Sequence, residues 1–360
     1  MKPPSTPQKP APDAPKIVLT GMGHWFPDTV LDNKFFDELD IGSSAEWIDE
    51  RVGIRERRSV LTRDEIKSLR KGEITRKDLI EQGRIMTMGA MCKAPWEMAL
   101  ERACADGEGP TPASVRAAAA TVDLAIAGTS IPDWDIPANA CAIANTVGLN
   151  CSGFDVNSAC STFVVNLHVA RGLLASGSHR SCAIFNAERY TTRVDYKDRS
   201  SCVLFGDSAS AGLLETAAGA RGLELIDTVV HSDPSGAEQI RLPVGGFFSQ
   251  NGQAVQKFAV SKTVSVTYEI LDRNGLKQSD LDYFIGHQAN YRMLTSACQR
   301  NGIDESRHLF NVDLRGNQGA TGAPTVLSQN WDKYKPGQLI CVAVVGSGLT
   351  WGAALFRRTP

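Results

Sequence analysis

Apolar runs of strand length alternate with stretches of helical periodicity along almost the whole chain. The strand-like runs include KIVLTGMG (16–23), VDLAIAGTS (122–130), SCVLFGDSASAGLLE (201–215) and QLICVAVVGSG (338–348). Between such runs, as at 257–276, apolar residues recur at the three- and four-residue steps of a buried helix face. Strands that alternate with helices favour an architecture in which helices cover the sheets. The sequence therefore predicts the α/β class.

The N-terminal residues do not follow this pattern. Residues 1–15 contain six prolines and no apolar segment of the signal-peptide type, so we expect a disordered tail and not a secretion signal. The chain of 360 residues carries a net charge of −2, which gives no reason to expect a nucleic-acid partner. No apolar run approaches the ~20 residues that a membrane span needs, so we expect no membrane partner.

The nine cysteines are scattered and form no C-x-x-C pair. An odd number without paired spacing is typical of reduced thiols in a cytoplasm, and it disfavours a disulfide framework or a zinc site. We therefore expect a cytoplasmic protein without a bound metal. The cysteines are Cys92, Cys104, Cys141, Cys151, Cys160, Cys182, Cys202, Cys298 and Cys341.

One of these cysteines lies at a change of local pattern. Cys160 follows the strand-like FDVNSA and precedes a helical pattern that ends before Gly177. At a helix N-terminus, unpaired backbone N–H groups and the helix dipole favour the thiolate, which is the nucleophilic form of cysteine. The alternative is a small cysteine that only packs in the core, as cysteines most often do. The segment alone leaves both interpretations open.

Residues 61–92 interrupt the apolar pattern, and the part from 61 to 84 is densely charged with a loose helical period. One interpretation is a solvated helical excursion from the fold. The other is a lid, or a docking surface for a negatively charged partner. Both remain open at the level of the sequence.

Polar and glycine-rich segments follow apolar strands in the second half of the chain. His287 follows the run LDYFIG, and Asn317 lies in the glycine-rich turn RGNQGATGAP. A further loop, whose backbone N–H groups are able to face a ligand, is formed by Gly346, Ser347 and Gly348. Because α/β proteins commonly keep their sites at the ends of strands, these residues and the cysteine make a candidate catalytic set.

This set supports two chemistries. In a cysteine hydrolase, the thiolate pairs with an imidazolium that an asparagine orients, and the chain order Cys–His–Asn is that of papain-like proteases. The local signature of those enzymes around the cysteine is absent here. In a condensing enzyme, Cys160 accepts an acyl group from a thioester. His287 and Asn317 then donate hydrogen bonds to the enolate left when a malonyl group loses carbon dioxide, while backbone N–H groups of Cys160 and the 346–348 loop hold the other oxyanion.

Several segments resemble those of the β-ketoacyl-acyl-carrier-protein synthase III family, within the thiolase-like condensing enzymes. The resemblance extends from about residue 16 to residue 358 in the family's order, and the thirty-residue gap between His287 and Asn317 also matches. The matching segments are EWIDERVGIRERR (46–58), DVNSACSTF (155–163), YKDRSSCVLFGDSASA (196–211), NGQAVQKFAV (251–260), GHQAN (286–290), RGNQGATGAP (315–324) and VGSGLTWGAALFR (345–357).

The resemblance implies a role for each matching residue. Cys160 would be the acyl-accepting nucleophile, with His287 and Asn317 as the donors for decarboxylation. Trp47 would stack on the adenine of coenzyme A, with Arg199 on its other face. An aromatic plane beside a guanidinium is a physically sensible grip for a base.

Further roles are implied by the same resemblance. Arg51 would lie near the phosphates of coenzyme A, and Arg292 would lie on the docking face for the acyl carrier protein. Ile136 falls where the family places a residue of the neighbouring subunit at the acyl pocket. The implied assembly is a homodimer, and no cofactor or metal is implied, because the coenzyme A thioester is a substrate.

The implied fold is thiolase-like, with two pseudo-equivalent halves. Each half would hold a five-stranded mixed sheet, in an α-β-α-β-α layered arrangement. Residues 16–217 would form the first half, with the nucleophile and the 61–92 excursion, and residues 218–360 the second. The implied reaction transfers an acyl group from acyl-CoA to the cysteine. A decarboxylative Claisen condensation with malonyl-acyl carrier protein then follows, in fatty acid or polyketide-type biosynthesis.

The chain departs from the family at some positions. Family members often have three glycines where Ser347 lies between two glycines here, and a serine resists the positive φ angles that glycine accepts. QGATGAP stands where many members carry small hydroxyl residues. Alternative activities are therefore transfer of the acyl group to a hydroxyl or amine, or the joining of two β-ketoacyl chains into a pyrone or ketone. A non-catalytic partner subunit is disfavoured, because Cys160 is retained.

Overall fold

The computed structural model describes residues 15–105, 109–216 and 218–360. Apart from Pro15, the proline-rich segment expected to be a tail lies outside this range. The strands are β1 (Val18–Trp25), β2 (Thr29–Asp32), β3 (Glu56–Ser59), β4 (Leu124–Gly128), β5 (Ser152–Asp155), β6 (Ser181–Glu188), β7 (Ser208–Glu215), β8 (Leu223–Ser232), β9 (Ile240–Arg241), β10 (Ser249–Gln250), β11 (Tyr283–Gly286), β12 (Leu339–Gly346) and β13 (Thr350–Arg358). The α-helices are α1 (Asn33–Glu38), α2 (Ala45–Val52), α3 (Arg63–Lys71), α4 (Arg76–Glu81), α5 (Met88–Ala103), α6 (Pro112–Ala120), α7 (Asn139–Val147), α8 (Thr162–Ala175), α9 (Gly252–Arg273), α10 (Tyr291–Asn301), α11 (Val312–Arg315) and α12 (Gly322–Gln329).

Nine of the strands form one mixed sheet, in the order β11-β12-β13-β8-β1-β7-β6-β4-β5. Strands β1, β4, β5, β6 and β7 come from the first half of the chain, and the other four come from the second half. The two sets join where Val18 and Leu19 of β1 pair with β8. The mixed α/β arrangement is confirmed. Within the described residues, the second half contributes four strands to this sheet where five were expected.

Two helices lie between the two sets of strands. Helix α8 contacts β4 and β6 on one side and β8, β12 and β13 on the other. Its side chains Phe163 and Leu167 are fully buried, and so are Val326 and Leu327 of α12 in the same apolar cluster. Helices α5 and α7 cover the outer face of the first set, and α9 and α10 cover the second. The layers therefore follow the expected α-β-α-β-α order.

The charged segment after β3 folds into the short helices α3 and α4. Each begins with a threonine, Thr62 or Thr75, whose side chain caps the helix in a reciprocal capping box. Each helix also buries one apolar side chain, Ile66 or Leu79. The helical character of this excursion is confirmed. A lid or docking role for it stays a prediction.

The expected boundary between the halves, at residues 217 and 218, falls in the connection from β7 to β8. Residue 217 itself lies outside the described residues. None of the helices in the described ranges combines the length and the apolar character of a membrane span. Those ranges also hold no group of three or more His, Cys, Asp or Glu side chains placed to bind a metal ion.

Candidate active site

Cys160 lies in a single 3-10 turn, Ala159–Ser161, that leads into α8. Ala159 adopts a φ of 45°, a left-handed conformation that costs a non-glycine residue about 1–3 kcal/mol. The Thr162 hydroxyl holds the turn, because it donates to the Ala159 carbonyl at 2.7 Å and accepts from the Ser158 N–H at 2.9 Å. The turn places Cys160 on the walls of two cavities, which is not expected of a cysteine that only packs in the core.

The surroundings of Cys160 favour the thiol over the thiolate. Burial raises the pKa of the Cys160 thiol to about 12, and the nearby Glu188 carboxylate raises it further than burial alone would. A hydrogen bond with Tyr190 and the N–H of Cys160 itself act in the opposite direction on this pKa. The expectation that the helix N-terminus produces a thiolate is therefore wrong for the free protein at neutral pH. The thiol must lose its proton when it reacts.

His287 follows β11 and is 8% exposed. Burial lowers the pKa of the His287 imidazole to about 4, so the ring is neutral at physiological pH. Its Nδ1 atom is buried and has no hydrogen-bond partner in the described part of the chain. A neutral, unpartnered imidazole at a cavity wall is suited to bind a ligand through its ring nitrogens.

Asn317 is fixed by its backbone and by its side-chain oxygen. Its N–H donates to the Leu204 carbonyl at 2.8 Å, and its carbonyl accepts from the Gly206 N–H at 3.0 Å, which ties it to the first half of the chain. Its Oδ1 accepts from the Gly319 N–H at 3.0 Å. Because an N–H group donates to it, this atom is the oxygen of the side-chain amide and not the nitrogen. The Nδ2 donors therefore point away from Gly319.

Buried amides next to these two residues link them. The Gln288 Oε1 accepts from the Asn311 N–H at 3.0 Å, and the Gln318 Nε2 donates to the Asn311 Oδ1 at 2.9 Å. The residues that follow His287 and Asn317 are therefore both bonded to Asn311. This link was not predicted, because its only signal in the sequence is a glutamine after each site residue.

A cavity of about 50 Å³ brings the predicted catalytic residues together. Cys160, His287, Asn317 and Gly346 all line it. A Cβ atom on Gly346 would lie 2.8 Å from the Ser161 nitrogen and 3.1 Å from the Cys160 nitrogen. Only glycine lets the end of β12 approach the nucleophile turn this closely.

The rest of the glycine-rich loop explains why a serine is tolerated. Ser347 is not among the residues with positive φ, whereas Gly348 has a φ of +128°. The left-handed backbone thus falls on a glycine. The Ser347 hydroxyl donates to the Ile240 carbonyl at 2.7 Å, which joins the loop to β9.

A larger open cavity of about 710 Å³ adjoins the catalytic cavity and shares Asn317 with it. It is lined by four residues assigned to coenzyme A or carrier-protein binding, namely Trp47, Arg51, Arg199 and Arg292. The Arg199 guanidinium lies 5.0 Å from the centre of the Trp47 ring, and Arg199 also donates to the Gly42 carbonyl. The structure therefore brings these four residues to one channel.

A third cavity, of about 190 Å³, also contains Cys160 in its wall. Among the side chains that line it are Ser130, Tyr190 and Phe248. The Tyr190 ring stacks on Phe205 at 4.5 Å, and Phe205 contacts Phe248 edge-on at 4.6 Å. Sequence reasoning missed this aromatic wall, because its members lie far apart in the chain. Ile136 does not line the described cavities at Cys160 and is 85% exposed.

Comparisons with known proteins agree with this arrangement. A family model described as 3-oxoacyl-[acyl-carrier-protein (ACP)] synthase III matches residues 154–234, and the model of its C-terminal part matches residues 271–358. The β-ketoacyl-[acyl-carrier-protein] synthase III of Syntrophomonas wolfei is 31% identical over 95% of this chain and 97% of its own.

Solved structures are similar over the same length. The 3-oxoacyl-(acyl carrier protein) synthase III of Pseudomonas aeruginosa has a TM-score of 0.80 at 26% identity, over 96% of this chain and 99% of its own. The priming β-ketosynthase of the R1128 polyketide biosynthetic pathway has a TM-score of 0.79 at 26% identity, over 98% of this chain and 100% of its own.

Proposed function

The chain belongs to the β-ketoacyl-acyl-carrier-protein synthase III family, and from this premise we propose that it is a condensing enzyme that joins an acyl group to a malonyl-derived unit. Acyl-CoA acylates Cys160, and malonyl-acyl carrier protein then supplies the nucleophile for carbon–carbon bond formation. The reaction needs no resident cofactor, since coenzyme A enters as part of the substrate.

One observation carries the proposal. Cys160, neutral His287 and Asn317 line one cavity, and that cavity adjoins the channel of Trp47 and Arg199. A thioester whose adenine lies at the Trp47 end would lead its acyl carbon toward the sulfur. Proximity of this kind removes much of the entropic cost of a bimolecular step.

The two half-reactions use different residues. In the first, the Cys160 sulfur attacks the acyl carbon, coenzyme A leaves, and backbone N–H groups of Cys160 and the 346–348 loop stabilise the oxyanion. In the second, His287 and Asn317 donate hydrogen bonds to the malonyl thioester oxygen. The malonyl group loses carbon dioxide, and the resulting enolate attacks the acyl-enzyme to give a β-ketoacyl product. A neutral histidine suits this role, since it keeps one N–H donor and does not protonate the enolate carbon outright.

Transfer of the acyl group to a hydroxyl or amine is the less favoured activity. Such a transfer has no use for a second donor to an enolate. Asn317 is nevertheless held in place by three hydrogen bonds, to Leu204, Gly206 and Gly319. Because these bonds fix the orientation of Asn317, they favour decarboxylative condensation, which needs this donor.

We also propose a homodimer in a reducing, cytoplasmic setting. Ile136 and Trp134 are 85% and 53% exposed on one loop, and a second copy of the chain would cover this apolar surface. No two cysteines of the described ranges are joined in a disulfide, which supports a reducing compartment. Light scattering coupled to gel filtration tests the dimer, with Ile136→Asp as the variant expected to weaken it.

The proposed activity is tested by the mass of the intact protein after incubation with acyl-CoAs of graded length. We expect a mass gain of one acyl group that is absent in Cys160→Ala, and we expect malonyl-acyl carrier protein to discharge it as a β-ketoacyl product. Loading followed by release of free acid alone would indicate a thioester hydrolase. Loading that is discharged only by an alcohol or amine would indicate the simple acyl transfer.

A further inference from the structure

A carboxylate without a cation lies buried behind the nucleophile. Glu188, at the end of β6, is fully buried, and it forms no ion pair with any residue in the described ranges. The neighbouring Arg189 pairs with Asp133 instead, at 2.8 Å. An unpaired buried carboxylate is costly, and such groups cluster at functional sites.

Every hydrogen bond recorded for Glu188 is one that it accepts. The Ser130 N–H lies 3.1 Å from both carboxylate oxygens, and the Ser130 hydroxyl donates to Oε1 at 3.0 Å. Longer contacts come from the Thr129 hydroxyl and the Ala320 N–H, both at 3.4 Å. Neutral N–H and O–H donors therefore hold the carboxylate in place.

The hydroxyl of Ser130 connects this carboxylate to the nucleophile. The Tyr190 hydroxyl donates to the Ser130 Oγ at 2.9 Å, and the Ser130 Oγ donates to Glu188 Oε1. The Tyr190 hydroxyl is in turn a hydrogen-bond partner of the Cys160 thiol. Hydrogen bonds therefore join the sulfur, Tyr190, Ser130 and Glu188 in one chain, in which Tyr190 donates to Ser130 and Ser130 donates to Glu188. Cys160, Tyr190 and Ser130 share the wall of one cavity.

We propose that Glu188 receives the proton of the Cys160 thiol, through Tyr190 and Ser130, when the cysteine attacks an electrophile. In the acylation step, which rests on the proposed function, the bond from sulfur to the acyl carbon forms and the bond from that carbon to the coenzyme A sulfur breaks. The thiol proton moves to the Tyr190 oxygen, the Tyr190 proton to Ser130, and the Ser130 proton to Glu188 Oε1. Coenzyme A leaves as a thiolate and takes a proton from water, and Glu188 returns its proton to solvent before the next cycle.

The proton affinities of the groups suit this assignment. Burial raises the pKa of the Glu188 carboxyl to about 8, so its ionised form is a stronger base than an exposed carboxylate. The ionised fraction is small at pH 7 and grows as the pH rises through about 8, so the relay becomes more active over this range. The titratable groups that act on the pair are Cys160, Glu188 and Tyr190 themselves, and burial raises the pKa of Tyr190 far above its usual range. His287 lines the cavity that Cys160 shares with Asn317, and not the cavity of Tyr190 and Ser130. In the proposed function it donates a hydrogen bond to the enolate.

A purely electrostatic role for Glu188 predicts the opposite behaviour from a relay. The negative charge of Glu188 raises the pKa of the Cys160 thiol. If charge were its only effect, Glu188→Gln would lower that pKa and make the cysteine more reactive. If Glu188 takes the proton, the same substitution makes the cysteine less reactive.

The experiment is the rate of Cys160 alkylation by iodoacetamide between about pH 6 and about pH 10, followed by the mass of the Cys160 peptide. This probe needs no acyl-CoA, so it tests the proton transfer from Cys160 to Glu188 even if the proposed function fails. The variants are Glu188→Gln and Tyr190→Phe, which retains the ring that stacks on Phe205. The matched control is Tyr196→Phe, which removes another buried hydroxyl, one that donates to the Thr191 carbonyl at 2.9 Å.

We expect alkylation in the native protein to rise with an apparent pKa near 8, the value of the Glu188 carboxyl. Both relay variants should lose this rise and react about tenfold or more slowly at neutral pH, while Tyr196→Phe keeps it. A uniform loss at every pH, with the rise retained, would mean that Glu188 only supports the fold. Faster alkylation in Glu188→Gln, or an unchanged profile in Tyr190→Phe, would overturn the proposal. Should Glu188→Gln fail to fold, Tyr190→Phe decides the question.

Discussion

The side-chain oxygen of Asn317 accepts a hydrogen bond from the backbone N–H of Gly319 at 3.0 Å. The carboxamide oxygen is therefore bonded to the protein backbone, and the Nδ2 donors remain available to a ligand. Asn317 also lines the catalytic cavity and the adjoining channel, so a donor here meets a thioester that enters from the Trp47 side. We therefore expect Asn317 to act in the second half-reaction and not in the first.

Asn317→Asp should abolish condensation while leaving acylation intact. An aspartate has nearly the same shape and still accepts from Gly319, but it offers no donor and places a negative charge beside the developing enolate. We expect the condensation rate to fall by on the order of a hundredfold or more. Loading of Cys160, followed by intact mass, should be within about twofold of the native rate. Equal losses in both steps would contradict the assignment of Asn317 to decarboxylation.

The pair formed by Trp47 and Arg199 should affect the binding of coenzyme A and not the chemistry. Trp47→Ala removes the ring that lies 5.0 Å from the Arg199 guanidinium. Loss of a stacked, partly desolvated contact worth about 1–2 kcal/mol would raise KM for acyl-CoA by roughly tenfold, with kcat retained. The matched measurement uses an acyl thioester of N-acetylcysteamine, which has no adenine. A similar loss with that substrate would show that Trp47 acts through the fold.

The buried histidines should make the fold sensitive to acid. Burial lowers the pKa of His24, His287 and His308 to about 4, below the value of 6.5 in an unfolded chain. Between these values the unfolded chain binds protons that the folded chain does not, so the free energy of unfolding falls as the pH is lowered through this range. Urea unfolding at several pH values measures this slope.

His308→Phe gives a specific test of that sign. The His308 ring lies between Phe284 and Phe310, and its buried Nε2 has no hydrogen-bond partner in the described part of the chain. A phenylalanine fits among these rings and cannot be protonated. We expect stability at neutral pH to be retained and the loss on acidification to be smaller than in the native protein. An unchanged pH slope would mean that His308 is not buried in its neutral form.

The sequence predicted the layered α/β fold, and it predicted that Cys160, His287 and Asn317 lie together, because both predictions depend on local patterns. The motifs around Cys160, His287 and Asn317 are short, and apolar periodicity marks the strands that position them. What it missed depends on contacts between distant segments. The run 201–215 reads as one strand, yet only Ser208–Glu215 is a strand. The part before it bends at Gly206 to pair with Asn317, about 110 residues further along the chain.

The protonation of the nucleophile was missed for the same reason. The position of Cys160 before a helix indicates a thiolate, because only the helix is visible in the sequence. Burial by the rest of the fold and the charge of Glu188, twenty-eight residues away, reverse the direction of the pKa shift. A local electrostatic argument is therefore reliable only when the charges brought in by tertiary contacts are known.

Arg292 should matter for the carrier protein and not for acyl-CoA loading. It is exposed near the start of α10, at the wall of the channel that contains Trp47. The positive charge of Arg292 at the channel mouth suits a partner with an acidic surface, so a reversed charge there should slow encounter and weaken docking. We expect Arg292→Glu to raise KM for malonyl-acyl carrier protein about tenfold. We also expect the KM of the native enzyme to rise with salt, and that of the variant to change less.

The control is Arg300→Glu, which reverses an exposed charge in the last turn of the same helix. If both variants behave alike, net charge rather than a docking site at Arg292 accounts for the effect, and if Arg292→Glu leaves KM unchanged, the carrier protein docks elsewhere.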